Sequence, residues 1–275
     1  MMSSIEVVTK SGFMSKRWRW ARDYRFASKD CLVPLVGQEF TRAALYFPIG
    51  FVRKDEGYLP VAVLGITAGQ NLFVGVDGKW MAGYVPAAYR GYPFSLGQTQ
   101  DNHTVLMVDT GSGLVSEAQA TAQGTVEGQA HGETFFGPDD KPTEPVQKVF
   151  EFLQHLQANR TATQQACALL DKLGLIEPWP VAVLQDDGVQ RQLEGLFRVD
   201  EQAFKQLALQ ELDALRQSDA LPLVFCQLLS QQHMTALGPM AHQRRDPMTV
   251  LGGSDSSLDL EFLNEGGSMR FGMTQ

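Results

Sequence analysis

The first 110 residues run in short apolar stretches separated by glycine, proline and charge. "LYFPIGFV" (45–52) and "PVAVLGIT" (60–67) have strand length, and Pro48 and Pro60 stand where such strands begin or bend. "NLFVGVDGKWMAGYV" (71–85) alternates about Asp77-Gly78. That predicts a hairpin, with Phe73 and Val76 on its apolar face and Trp80 and Tyr84 beyond the turn. "HTVLMVD" (103–109) predicts another short buried strand. From about 110 to 145 the residues become small and polar, as in "TGSGLVSEAQATAQGTVEGQAHGE". Such a stretch lacks the apolar surface for a core layer and predicts a long exposed loop with one short strand. "FFGPDDKPTEP" closes it with a turn.

The period changes beyond 145. Val146, Val149, Phe150, Leu153 and Leu156 recur at helical spacing. Thr161 or Thr163 is placed to cap a following helix that stops at Gly174. "WPVAVLQDDGVQRQLEGLFRV" predicts a hairpin about Asp187-Gly188, and Asp200 caps a helix bearing Phe204, Leu207, Ala208, Leu212 and Leu215. "LPLVFCQLLSQQHM" is apolar on most sides and predicts a buried helix. The predicted class is α+β: an antiparallel, β-rich N-terminal half, a helical C-terminal half packed on it, and a flexible C-terminal tail. The organisation expected is an arm over 1–25, one domain over 26–237 and a tail over 238–275. In the tail, Leu258, Leu260 and Phe262 alternate with Asp259 and Glu261 between Gly-Gly pairs. That pattern suits a docking strand with one apolar and one acidic face.

Composition narrows the function classes. The chain has 275 residues, 44% hydrophobic and 20% charged, with a net charge of −8. Binding nucleic acid or anionic lipid over the whole surface is therefore disfavoured. The exception is "KRWRWARDYRF" (16–26), whose five basic residues face one acidic residue. Trp18 and Trp20 are read as its anchors and the arginines as partners of acidic groups, so no nucleic acid is expected. Cys31, Cys167 and Cys226 are widely spaced and odd in number, which points to reduced core thiols. The N-terminus shows no signal-peptide pattern and no run of about 18 apolar residues suggests a transmembrane span. Cytoplasmic synthesis is expected, with surface association or incorporation into a virion by a signal-independent route.

Candidate chemistry is sparse. The thiols lie in no catalytic frame, there is no GxSxG elbow, and the glycines form neither GxGxxG nor a P-loop. His131 and Glu133, with His242 as a distant third ligand, give one metal-dependent alternative, an iron oxygenase. The alternative for "HGE" is a surface histidine in a polar loop, and no metal or other cofactor is expected. The aromatic cluster offers a different prospect. Trp80, Tyr84, Tyr89, Arg90, Tyr92 and Phe94 form a candidate recognition cleft, with rings as anchors and Arg90 pairing or stacking. Its alternative is core plus rim.

Three blocks, "FASKDCLVPLVGQEFTRAALYFPIGF", "PVAVLGITAGQNLFVGVDGKWMAGYVPAAYRGYPF" and "GETFFGPDDKPTEPVQKVFEFLQ", resemble the SapC-like proteins. "LIEPWPVAVLQDDGVQRQLEGLFRVDEQAF" continues the resemblance, which covers about residues 22–237. It implies a bacterial or phage-borne protein associated with a surface-layer locus, and no catalytic residue or cofactor that can be carried over. The motif skeleton includes Glu39, Asn71, Gly78, Trp80, Tyr84, Arg90 and Phe94. Gly75 stands where the resemblance leads one to expect an acidic residue. Three functions follow as expectations. The first is a non-enzymatic accessory or interaction protein with a protein partner or self-association. The alternatives are a structural subunit of a surface layer or phage particle, and the oxygenase.

Overall fold

The computed structural model describes residues 4–55, 57–117, 132–184 and 190–244. In chain order the strands are β1 Ile5–Val7, β2 Lys16–Trp18, β3 Leu32–Pro34, β4 Ile49–Lys54, β5 Gly57–Val63, β6 Phe94–Gln98 and β7 Thr104–Asp109. There follow β8 Val115–Glu117, β9 Glu133–Thr134, β10 Ile176–Pro178, β11 Val181–Leu184, β12 Gln190–Leu193 and β13 Leu196–Val199. The helices are α1 Lys10–Phe13, α2 Phe40–Ala43, α3 Ala87–Arg90, α4 Glu144–Lys172, α5 Glu201–Lys205, α6 Leu209–Gln217, α7 Leu221–Ser230 and α8 Met234–Gln243. The class is α+β, with antiparallel sheets from the first half and helices dominating the second. The chain divides into two compact units. One uses the described residues up to 22 and those between 91 and 156; the other uses 23–90 and the described residues from 157 onward.

The first unit holds two three-stranded sheets, ordered β1-β7-β6 and β8-β2-β9. Its core joins Phe13, Trp18, Phe94, Leu106, Val108 and Phe135 to Val146, Val149 and Leu153 of α4, so the helical stripe lies where its spacing predicts. The polar stretch contributes more than one strand. β8 and β9 both pair with β2, and Phe135 is fully buried; residues 118–131 lie outside the described residues. The basic stretch starts inside this sheet. Arg17 and Arg19 donate to the carbonyls of Gly132 and Gly113 at 3.0 and 3.3 Å, whereas Arg25, in the second unit, pairs with Asp23 at 2.6 Å, an acidic group as expected. Trp18 is the buried anchor, whereas Trp20 sets its edge against it and stays 48% exposed.

The second unit is built on a five-stranded antiparallel sheet, β10-β13-β4-β5-β3. α7 packs on β4 and β13. Gln227, fully buried, donates to Ile49 O and accepts from Val199 N, both at 3.0 Å, so one side chain stitches the helix to two strands. The predicted pairing of β11 with β12 is present, and its turn at 185–189 lies outside the described residues.

Three helical expectations need correction. α4 runs unbroken through Thr161 and Thr163. Their hydroxyls satisfy carbonyls four residues back, Gln157 O and Asn159 O, so neither serves as a cap. The helix does stop at Gly174, whose φ of +66° suits glycine. The helix capped by Asp200 ends at Lys205 and restarts at Leu209, because Ala208 turns extended and its N–H is taken by Glu211 Oε2 at 2.9 Å. α7 is not buried all round: Phe225 and Leu229, four residues apart, are 51% and 67% exposed. All three cysteines are buried as expected, and burial pushes the Cys167 thiol up to about 12.

Candidate functional site

The aromatic segment is held both by its own turn and by bonds to its surroundings. Buried Asn71 donates through Nδ2 to Ala27 O and accepts from Phe73 N, each at 2.9 Å. Leu72 N binds Leu64 O at 2.8 Å, and Tyr24 N binds Gly78 O at 2.7 Å. The predicted hairpin is present over a short span: Val74 and Trp80 form an antiparallel bridge, flanked by Gly75 N to Lys79 O at 2.7 Å and Met81 N to Phe73 O at 2.8 Å. The turn itself is correctly placed. Gly78 has φ +83°, and a Cβ there would meet Asp23 Cβ at 2.9 Å, so only glycine fits. Val76 lies in the turn, 100% exposed, instead of on an apolar face. At Gly75 a Cβ would meet the Asp77 carboxylate at 2.6 Å; Asp77 caps Lys79 N at 3.1 Å.

Trp80 is half-buried among rings: Tyr24 at 5.6 Å, Tyr89 at 5.7 Å, Phe47 at 6.0 Å and Phe73 at 6.1 Å. Its Nε1 donates to Tyr84 O at 2.6 Å, which folds residues 80–84 back on the ring. The Tyr84 hydroxyl reaches inward to Glu39, a carboxylate only 4% exposed. Glu39 Oε2 accepts from Tyr84 at 2.8 Å and from Ala87 N at 2.7 Å; Oε1 accepts from Val36 N at 3.0 Å. Burial raises its carboxyl above the ordinary range, while the backbone donors, Tyr84 and the Arg90 charge pull it back. The phenol of Tyr84 is raised by burial and by the Glu39 charge.

On the outer side Arg90 is exposed. Its Nη2 lies 3.4 Å from the Tyr84 hydroxyl and its guanidinium 5.8 Å from that ring. Arg42 is also exposed, and its charge acts on Tyr84. Tyr46, 39% exposed, lies against Gly83, where a Cβ would meet its hydroxyl at 2.5 Å. Met81 is 55% exposed. A buried carboxylate thus holds the Tyr84 phenol, and the exposed Arg90 lies over that ring. Beneath it Tyr89 is 7% exposed and donates to Asp30 Oδ2 at 2.9 Å; burial raises Asp30 to about 6.

The six candidate cleft residues are divided. Trp80, Tyr84, Tyr89 and Arg90 come together in the second unit, with Tyr89 and Arg90 on the short helix α3. Tyr92 and Phe94 belong to the first unit. Phe94 opens β6 as a core residue, 5% exposed and 4.7 Å from Trp18. Tyr92 is half-buried, its phenol raised by burial and by Asp109. Glu133 and His242 are both exposed, and His131, Leu258, Leu260 and Phe262 lie outside the described residues. Among the described residues no three His, Cys, Asp or Glu side chains gather in a metal-binding group. Nor is any described helix long and apolar enough to cross a membrane.

Residues 9–237 match the family model SapC, across both compact units. The chain belongs to the SapC family. No curated protein and no solved structure matches it. The SapC match spans Glu39, Trp80, Tyr84 and Arg90 alike. Glu39 belongs to the motif skeleton of the resemblance, which assigns it no role. The available signal was a lone carboxylate inside the apolar run "CLVPLVGQEF", since a buried charge needs dedicated partners.

Proposed function

We propose that this chain is a non-enzymatic accessory and interaction protein of a bacterial surface-associated system. Its recognition face is formed by Arg42, Tyr46, Met81, Tyr84 and Arg90. The observation behind this reading is the Glu39–Tyr84–Arg90 relay. Glu39 has both oxygens engaged by three donors, which suits a structural anchor better than a proton-transfer group. What it anchors is an exposed arginine over an aromatic ring, in a segment that also carries the exposed Met81, residue types enriched where protein partners bind. Association with a surface system rests on SapC family membership. The test is affinity capture from the native host with quantitative mass spectrometry, comparing wild type with Met81→Asp and Arg90→Glu. A specific partner should be retained by wild type and lost at least tenfold from both variants while their melting temperatures hold. A partner list unchanged by the substitutions sinks the assignment.

A second reading, a structural subunit of a surface layer or phage particle, is favoured by α7. This helix contains no charged residue and presents Phe225 and Leu229 outward. A solution mass that grows with concentration in wild type, and not in Phe225→Asp, would select it.

A further inference from the structure

We infer that the acidic–apolar tail segment Leu258–Leu263 docks in cis on the face formed by Arg42, Tyr46, Met81, Tyr84 and Arg90. The inference rests on reading that surface as a recognition face, and it names the occupant the chain itself supplies.

The described chain ends at the face. Arg244 Nη1 donates to Asn71 O at 2.6 Å, and its Nη2 lies 3.5 Å from Met81 Sδ. The sequence then continues for 31 residues. Thirteen residues, including Gly252-Gly253, lie between Arg244 and Leu258; a random coil of that length has a root-mean-square reach of about 20 Å. Tethering at that range supplies an effective concentration of about 1 mM, enough for a contact too weak to persist between separate molecules.

The chemistry matches. Residues 254–265 contain four carboxylates, Asp255, Asp259, Glu261 and Glu265, and no basic residue. The face presents the guanidiniums of Arg42, Arg90 and Arg244, with Met81 and Tyr46 as apolar contacts. Glu39 lies beneath this surface and is already bonded to Val36, Tyr84 and Ala87. In the tail, Leu258, Leu260 and Phe262 recur at every second residue, so an extended segment lays this apolar row on Met81 and Tyr46, while Asp255 and Glu265 flank the row and meet the arginines at its two ends. An external partner for this face must displace the tail.

The test uses the full chain and a fluorescent peptide of residues 254–266. One variant has Leu258→Ser, Leu260→Ser and Phe262→Ser; a second adds Arg42→Gln and Arg90→Gln. The peptide should bind the tail variant at least tenfold more tightly than wild type, whose own tail competes. Adding the arginine substitutions should remove that binding, and raising salt from 0.05 to 0.5 M should weaken it. In the tail variant, amide exchange over residues 81–90 should rise at least threefold relative to wild type. Equal peptide binding by wild type and tail variant, no binding to either, or binding indifferent to the arginines overturns the inference. Those outcomes leave host capture by Met81 and Arg90 as a separate result, so the tail can fail without the recognition face failing.

Discussion

The Tyr84 hydroxyl donates to Glu39 Oε2 across 2.8 Å, joining an exposed loop to a carboxylate that is 4% exposed. Tyr84→Phe keeps the ring under Arg90 and deletes that donor. A buried carboxylate oxygen left with fewer partners costs about 1–3 kcal/mol. Urea unfolding should show a loss of that size. An unchanged midpoint would mean that Glu39 does not anchor the loop.

Trp80 and Arg90 should separate stability from recognition. Trp80 touches four rings and folds residues 80–84 back by its indole N–H. Trp80→Ala should cost about 3 kcal/mol. Arg90 is exposed, and Arg90→Ala should stay within about 1 kcal/mol of wild type. Calorimetry of the two variants decides; equally large losses would make Arg90 a structural residue.

Asp30 makes stability depend on pH. Its carboxyl is raised from 3.8 to about 6, first by burial, with the Tyr89 hydrogen bond opposing. Between those values the folded chain holds a proton that the unfolded chain has lost. Stability therefore falls as pH rises from about 4 to 6 and stays lower above that. The difference at neutral pH is on the order of 3 kcal/mol. Asp30→Asn keeps an acceptor for Tyr89 and stays neutral. It should match wild type near pH 4 and be more stable at pH 7.5 in urea titrations. Parallel pH profiles would contradict the assignment.

Gly174 ends α4 with φ +66°, its N–H bonded to Asp171 O and that of Leu175 to Leu170 O. Open space surrounds its Cβ position, so Gly174→Ala tests conformation alone. The expected loss is about 1 kcal/mol in thermal unfolding. No loss would imply that the turn relaxes into another form.

Much of this architecture is legible because its signals are local. The stripe of Val146, Val149 and Leu153, the Asp200 cap and the stop at Gly174 depend on near neighbours, and each is found. What local reading misses is decided by distant partners. Thr163 could cap a helix, yet its hydroxyl accepts from Gly37 N at 2.7 Å while donating to Asn159 O within α4. Phe73–Met81 closes as the hairpin its alternation predicts, but its flanks are held from a distance, Leu72 N by Leu64 O and Gly78 O by Tyr24 N. Tyr92 and Phe94 read as part of one aromatic cluster with Trp80, whereas the chain passes into the other unit at Gly91. Glu39 is visible only as a carboxylate in apolar company, and its role emerges from Tyr84, 45 positions away.

The central claim, that the Met81–Arg90 surface is a recognition face, is tested most directly by site-specific photo-crosslinking in the native host. A photoreactive residue replaces Met81 in one full-length variant and exposed Glu151 of the first unit in another. The account predicts a discrete adduct with another polypeptide from position 81, suppressed by Arg90→Glu, and none from position 151. No adduct at 81, or one there that persists after the charge reversal, would contradict it.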